Sequence, residues 1–259
     1  MSAPEAAGGV PLGTSTSRPD NIVDHIVTIE ADDEGYGASS VANHTMFLLT
    51  FNDRLGNAPL NNPGAKVGRV LDVGTGTGIW AIDFADEHPE AEVRGIDLSV
   101  AFPEFNLSPG GYLELNEIDL MPLSDDGTLM PDHTVLKTCR LIQEAMQIVG
   151  RPYQDIKELK SMMADIGFVD IILQQYKWPT NSWPREKRHK ELGVWMNENI
   201  HEGWESICMA PLTRVMGWTK KEVMELIAQN SKEHDDRSIH AYYSIWSIYG
   251  KKPEKTGFI

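Results

Sequence analysis

Cysteine is scarce. Cys139 and Cys208 are the two in the chain, and neither belongs to a CxxC pair or has histidines at zinc-ligand spacing, which excludes a disulfide framework and a structural zinc site. The expected compartment is a reducing one, the cytoplasm or the nucleus. Basic residues are also few: 23 Lys and Arg stand against 38 Asp and Glu, a formal net charge of −15. A field of that sign repels a nucleic-acid backbone or an anionic membrane, so general binding to either is excluded as a function class. No apolar run approaches the roughly 20 residues of a membrane helix, and the longest candidates, such as residues 46–51, are core-sized. Residues 1–20 are rich in Ala, Gly, Ser, Thr and Pro and lack the basic start and apolar stretch of a signal peptide. They are expected to form a disordered tail ahead of one domain over residues 21–259.

What is present is ordinary globular composition, 41% hydrophobic and 24% charged, enough for one α/β domain with a sizeable core. Residues 69–73 read as a short apolar strand, 74–78 as a glycine-rich turn, 79–87 as a helix and 92–96 as a second strand. This order makes a βαβ unit of about 30 residues and starts a parallel sheet. Ahead of it, residues 21–30 alternate too weakly for an assignment, 32–40 read as a loop, and 44–55 read as a helix. Beyond it, strands are expected at 111–117, 168–178 and 239–249, and helices at 132–149, 154–166 and 185–202. In the last of these helices Leu192, Trp195, Met196 and Ile200 share a face. A further helix starts at Thr219, where Thr219-x-x-Glu222 has the form of a capping box.

The informative stretch is Val70-Leu71-Asp72-Val73-Gly74-Thr75-Gly76-Thr77-Gly78, with Asp97 placed 19 residues after Gly78. Glycines permit the strand-to-helix turn and let a ligand approach the backbone, while an acid at the end of the second strand can accept both ribose hydroxyls. Gly76-x-Gly78-x-x-Ala81 formally satisfies the dinucleotide fingerprint too. The deciding residue is Asp72. A carboxylate beside the loop disfavours a pyrophosphate, whereas it stabilises the ammonium and sulfonium of S-adenosylmethionine. The methyl donor is therefore the expected cofactor, ahead of NAD.

The run RVLDVGTGTGIWAIDFADEHPEAEVRGIDLS, together with SPGGYLELNEIDL, SDDGTL, TRVMGWTKKEV and DDRSIHAYYSIWSIYGKKP, resembles the fungal LaeA-like methyltransferases, a group tied to secondary metabolism. From the first to the last, these segments span 185 of the 259 residues, Arg69 to Pro253. The resemblance implies a Rossmann-like class I methyltransferase sheet with helices on both faces, its last two strands forming an antiparallel edge. It implies S-adenosylmethionine as cofactor, with Asp72, Gly74, Gly76 and Gly78 at its methionine end, Asp97 at its ribose, and Thr75 and Leu98 also among the cofactor-binding residues. It also implies a small-molecule natural product as acceptor, or, in a catalytically silent chain, a regulatory protein partner.

One departure from that pattern is large. Two further strand–helix units should follow Asp97, yet only eleven residues separate it from Pro109, and each parallel crossover needs at least a dozen or so. The shortfall is on the order of 60 residues, and it removes the third and fourth strands, the latter from the centre of the sheet. Three origins fit: an aberrant gene product, a shortened chain without activity, or a compact enzyme that rebuilds its sheet from other segments.

Methyl transfer depends mostly on positioning and need not leave a catalytic motif. If the acceptor must lose a proton, Glu114, Glu117 and Asp119 are the candidate bases. Glu114 and Glu117 are three apart, so at most one faces a cleft. His240, Tyr242 and Tyr243, and the tryptophans Trp178, Trp183, Trp195, Trp204 and Trp218, either pack the core or line an acceptor site, with packing the stronger expectation. Ser124–Gly127 reads as a turn, since no glutamate stands at a calcium-loop offset.

Overall fold

A computed structural model of the chain describes residues 22–29, 37–96 and 106–254. The expected tail over residues 1–20, and with it Asp97 and Leu98, lies outside the described residues. The βαβ unit stands where its sequence places it. Strand β2 (Arg69–Val73) and strand β3 (Glu92–Ile96) pair in parallel, with helix α2 (Ile79–Glu87) between them in the chain. Val70 and Leu71 are buried on opposite faces of β2, the pleat sending one side chain each way. Trp80 and Phe84 of α2, stacked at 4.9 Å, cover the Val70 face with Leu55 and Val67.

The centre of the sheet is not missing. Strand β1 (Ile22–Ile29), in the stretch whose weak alternation gave no assignment, lies parallel to β2 on one side and parallel to strand β4 (Asn106–Ile118) on the other. The expectation that the shortfall after Asp97 empties the place beside β2 is corrected here: a segment from the N-terminal side fills it. Strand β7 (Ala241–Lys251) then runs antiparallel to β4, and strand β6 (Val169–Pro179) antiparallel to β7. The two-residue strand β5 (Leu123–Ser124) also pairs with β7. The path is β3-β2-β1-β4-β7, parallel through β4, with the antiparallel edge at the C-terminal strands. Every residue of β7 from Ala241 to Ile248 is buried, which is why this strand reads as a continuous aromatic and β-branched run rather than an alternating one.

Pro109 and Gly110, which precede the strand expected at 111–117, lie inside β4. Val23 pairs with Leu107 but His25 with Tyr112, so residues 108–111 bulge opposite a single residue of β1. Gly110 supports the bulge at φ +78°, and its N–H donates to the Lys252 carbonyl at 2.8 Å.

Four larger helices enclose the C-terminal core: α1 (Gly37–Phe51), α3 (Thr134–Ile148), α5 (Lys187–Ala210) and α6 (Lys220–Asp235), with the short helix α4 (Leu159–Asp165) leading into β6. Helix α1 begins earlier than expected, so residues 37–40 are helical rather than loop. It also stops earlier, because Asn52 and Asp53 adopt left-handed φ of 60° and 58°, a conformation these two residue types tolerate. Phe47 meets Trp178 edge-on at 5.0 Å, and Trp178, fully buried, donates its indole N–H to Thr50 Oγ1 at 2.7 Å. Trp178 is thus a core residue.

Helix α5 starts where Glu186 accepts the N–H groups of Arg188 and His189, and its carboxyl is held down to about 2 by those bonds. The helix does not stop near residue 202 but runs through Gly203 to Ala210 and a π-helical turn, Pro211–Val215. The capping box at Thr219 and Glu222 forms as read. Helix α3 has no cap of its own; Glu233 of α6 accepts the N–H groups of Thr134 and Val135, both at 2.9 Å. Cys139 and Cys208 are free thiols in this core, and burial pushes both up to about 12, which leaves them unreactive.

Candidate functional site

The three glycines of the loop hold conformations that side chains resist, with φ of 79° at Gly74, 49° at Gly76 and 78° at Gly78, the last serving as the N-cap of α2. The loop is tied to the neighbouring strand, the N–H groups of Gly74 and Thr75 donating to the Ile96 carbonyl at 2.8 and 3.0 Å. Gly95 is a glycine for a steric reason, since a Cβ there would lie 2.5 Å from Thr75 Oγ1. Gly76 and Thr77 form an exposed tip. The first turn of α2 carries no acidic residue, so no side chain of its own opposes its positive end. Trp80 anchors that turn by donating its indole N–H to the Leu55 carbonyl at 2.8 Å.

Asp72, 1% exposed, stands one residue before the end of β2. Val27 of β1 pairs with Asp72 on one side and with Glu114 of β4 on the other. In-register neighbours share a face, so two buried carboxylates sit in one row, two strand spacings or about 10 Å apart at the backbone. Glu114 is fully buried and Glu117 only partly, as their spacing requires.

Glu114 is not placed as a base, however. Its Oε1 accepts the Asn57 N–H at 2.6 Å, and its Oε2 accepts the Ala58 N–H at 3.0 Å and the Asn61 amide at 3.2 Å. Burial pushes its carboxyl above the usual range, opposed by the bonds from Asn57, Ala58 and Asn116 and by the Arg54 charge. The approach is close enough that a Cβ on Gly56 would lie 2.8 Å from Glu114 Oε2. Asp119 Oδ1 accepts the Met121 N–H at 3.2 Å, an ordinary strand-end contact. Asp97 and Leu98 lie outside the described residues.

The carboxyl ends of the parallel strands define one edge of the sheet, where open α/β folds place their ligands. Besides the glycine loop, that edge holds a cavity of about 150 Å³ beyond the end of β4. It is lined by Ile118 and Leu120, by Asn43 of α1, by Met196, Asn199, Ile200, Gly203, Trp204 and Ile207 of α5, and by Tyr153 and Tyr243. Tyr243 and Trp204 are thus both core and wall. His240, Tyr242 and Trp183 are elsewhere: the His240 ring stacks on Trp183 at 4.8 Å, and Tyr242 donates to Asp125 at 2.8 Å. The α5 wall is a stripe from residue 196 to 207 at helical spacing, and the expected face of Met196 and Ile200 is its first half. The second half lies beyond residue 202, where the expected helix ends.

Behind Tyr243 is a buried histidine. His234 Nδ1 donates to the Asn230 carbonyl at 2.9 Å, which leaves Nε2 to accept the Tyr243 hydroxyl at 3.2 Å. Burial lowers His234 from 6.5 to about 4, so it is neutral in the fold. Between those two values the unfolded chain binds the extra proton, so stability falls as pH falls from 6.5 towards 4, by about 1.4 kcal/mol per pH unit from this group. Urea unfolding from pH 6.5 to 5 is expected to show about 2 kcal/mol more acid loss in the native chain than in His234→Gln. Equal slopes in the two proteins would mean that His234 is not held neutral.

No family model matches the chain. Methyltransferase pytC of Aspergillus terreus is 30% identical over 257 residues, covering 81% of this chain and 78% of that protein. The secondary metabolism regulator LAE1 of Cochliobolus heterostrophus is 30% identical over 262 residues, covering 82% of this chain and 85% of that protein. Since 82% of 259 residues fill those 262 aligned positions, about 50 positions of the regulator have no residue of this chain opposite them, in keeping with the shortfall after Asp97. Among solved structures, phosphoethanolamine N-methyltransferase 2 of Haemonchus contortus in complex with S-adenosyl-L-methionine aligns at a TM-score of 0.41 and 14% identity, over 86% of this chain and 59% of that one. A likeness that weak adds no weight.

Proposed function

We propose that this chain, which belongs to the fungal LaeA-like methyltransferase family, uses S-adenosylmethionine to methylate a small-molecule natural product. The observation that carries the reading is the strand–glycine loop–helix corner with Asp72 buried beneath it. The exposed tip at Gly76 and Thr77 lies at the surface from which a ligand would approach. The acid-free first turn of α2 suits the methionine carboxylate, and the Asp72 carboxylate suits the ammonium and sulfonium. A pyrophosphate would meet the same carboxylate as repulsion, which disfavours NAD. When bound, S-adenosylmethionine supplies an electrophilic methyl group. What remains for the protein is to hold donor and acceptor in line and exclude water, at the carboxyl edge shared by the loop and the cavity. Asp97 would hold the ribose, on the resemblance in sequence, with Leu98 next to it in the cofactor site, and the site of action would be the cytoplasm or the nucleus.

Calorimetric titration tests the cofactor. Saturable binding of S-adenosylmethionine is expected, weakened by about 10- to 100-fold in Asp72→Ala, equivalent to about 1.4–2.8 kcal/mol. Absence of binding by the unaltered chain at millimolar donor would overturn the reading. A second reading, a regulator that works through protein partners without methyl transfer, is supported by the regulator among the relatives. A partner captured equally well by the chain and by Gly76→Arg would favour it.

A further inference from the structure

We infer that Trp80 is a positioning residue of the donor loop, through which the turn at residues 55–61 holds the start of α2 in place from the C-terminal strands. The inference rests on the methyltransferase reading, in which the first turn of α2 receives the methionine carboxylate, and adds the residue that sets where this turn stands. Trp80 is the second residue of α2, two beyond the N-cap Gly78. It lies in the turn whose N–H groups a helix leaves without intrahelical partners, the groups that bind anions at helix N-termini. Its ring is 4% exposed and stacks on Phe84 at 4.9 Å, packing that a phenylalanine ring also provides. What the indole adds is its N–H, which donates to the Leu55 carbonyl at 2.8 Å.

Leu55 is buried in a segment that is neither helix nor strand, so the backbone groups there need partners from other elements. They find them in two directions. On one side Glu114 of β4 accepts the N–H groups of Asn57 and Ala58 at 2.6 and 3.0 Å and the Asn61 amide at 3.2 Å, while Asn57 Nδ2 donates to Ser247 Oγ of β7 at 2.9 Å. On the other side the Leu55 carbonyl accepts from Trp80. Gly56 lets the segment lie this close, since a Cβ there would stand 2.6 Å from Asn61 Nδ2 and 2.8 Å from Glu114 Oε2. Gly74 and Thr75 tie the front of the donor loop to β3; Trp80 ties its back, through the turn, to β4 and β7. A loop held from both ends pays less ordering cost when the donor binds.

A matched pair of variants tests this. Trp80→Phe keeps a ring and removes the N–H, and Trp178→Phe makes the same deletion in the core, where the lost bond is to Thr50 Oγ1 at 2.7 Å. Both are expected to lower the melting temperature. Only Trp80→Phe should weaken S-adenosylmethionine, by about fivefold, the worth of one buried hydrogen bond; Trp178→Phe should stay within about twofold of the unaltered chain. Asn57→Ala cuts the bond to Ser247 at the far end of the turn and should weaken the donor by about threefold. In the Trp80→Phe background the same change should cost nothing further, since the tie it acts through is already cut. Amide hydrogen exchange gives a reading that needs no ligand. The bonded N–H groups of Gly78 and Ile82, which donate to the Thr75 and Gly78 carbonyls, should exchange about fivefold faster in Trp80→Phe and at the unaltered rate in Trp178→Phe. Equal donor affinity or equal exchange in the two Trp→Phe variants overturns the inference, as do independent losses from Asn57→Ala and Trp80→Phe. A chain that binds no S-adenosylmethionine yet shows the exchange contrast overturns the methyltransferase reading rather than the tie through Trp80.

Discussion

Val27→Pro is expected to abolish the native fold. Val27 sits in the middle of β1, paired in parallel with Asp72 of β2 and Glu114 of β4. Proline removes a backbone donor and puts a ring in its place, which sheets tolerate at edges and bulges but not at an interior strand. The cost, a lost ladder hydrogen bond that leaves a buried carbonyl unpaired at about 1–3 kcal/mol and the clash of the ring besides, falls on a domain whose total stability is of the order of 5–15 kcal/mol. It also falls on the one strand that joins β2 to β4. Near-ultraviolet circular dichroism and urea unfolding measure the result. A cooperative transition at the unaltered midpoint would show that residues 22–29 do not lie between those strands.

The second large effect is expected at Glu114. Its two oxygens collect the N–H groups of Asn57 and Ala58 and the Asn61 amide, and so fix the turn between α1 and β2 onto the sheet. Glu114→Ala leaves those donors facing a dry space. Removing one partner of a buried, charge-assisted set costs about 3–5 kcal/mol. Glu114→Gln is the sharper probe, because whichever way the amide turns its NH₂ group faces one of the donors. It is expected to cost about 2–4 kcal/mol in urea unfolding despite its matching shape. A glutamine variant within about 0.5 kcal/mol of the native chain would remove Glu114 from this role.

These two residues mark where the sequence was readable and where it was not. Strand Arg69–Val73, helix Ile79–Glu87 and strand Glu92–Ile96 were legible to the residue, since each is written in contiguous signals: an apolar run, glycines forced to positive φ, a helical period. The start of α6 was legible for the same local reason. Alternation alone put Glu114 and Glu117 on opposite faces, without saying which is buried. The role of Glu114 was not legible either, because its partners Asn57 and Asn61 lie more than 50 positions away, and no local pattern links a strand glutamate to a distant turn.

Strand β1 was illegible in the same way. Its weak alternation is poor evidence for any strand, and what places it at the centre is the vacancy left by a shortfall elsewhere in the chain. The helix expected at 185–202 and the strand expected at 111–117 fall short at Gly203 and at Pro109-Gly110 for a different reason. Glycine and proline punctuate chains on average, whereas here one opens a cavity inside a helix and the other shapes a bulge inside a strand. Of the candidate site, the loop and Asp72 could be read from the sequence, while the cavity wall could be read only in its first half.

The position of β1 also fixes an order of events during synthesis. It leaves the ribosome before either neighbour exists, with β2 following some 45 residues later and β4 roughly 90. At roughly 5–20 residues per second, the segment waits several seconds for a place to join. Until β4 is made, β1 can pair only with β2, and its other edge stays bare and able to pair with another chain. That wait is a kinetic burden that a sheet closed by a strand made in sequence does not carry.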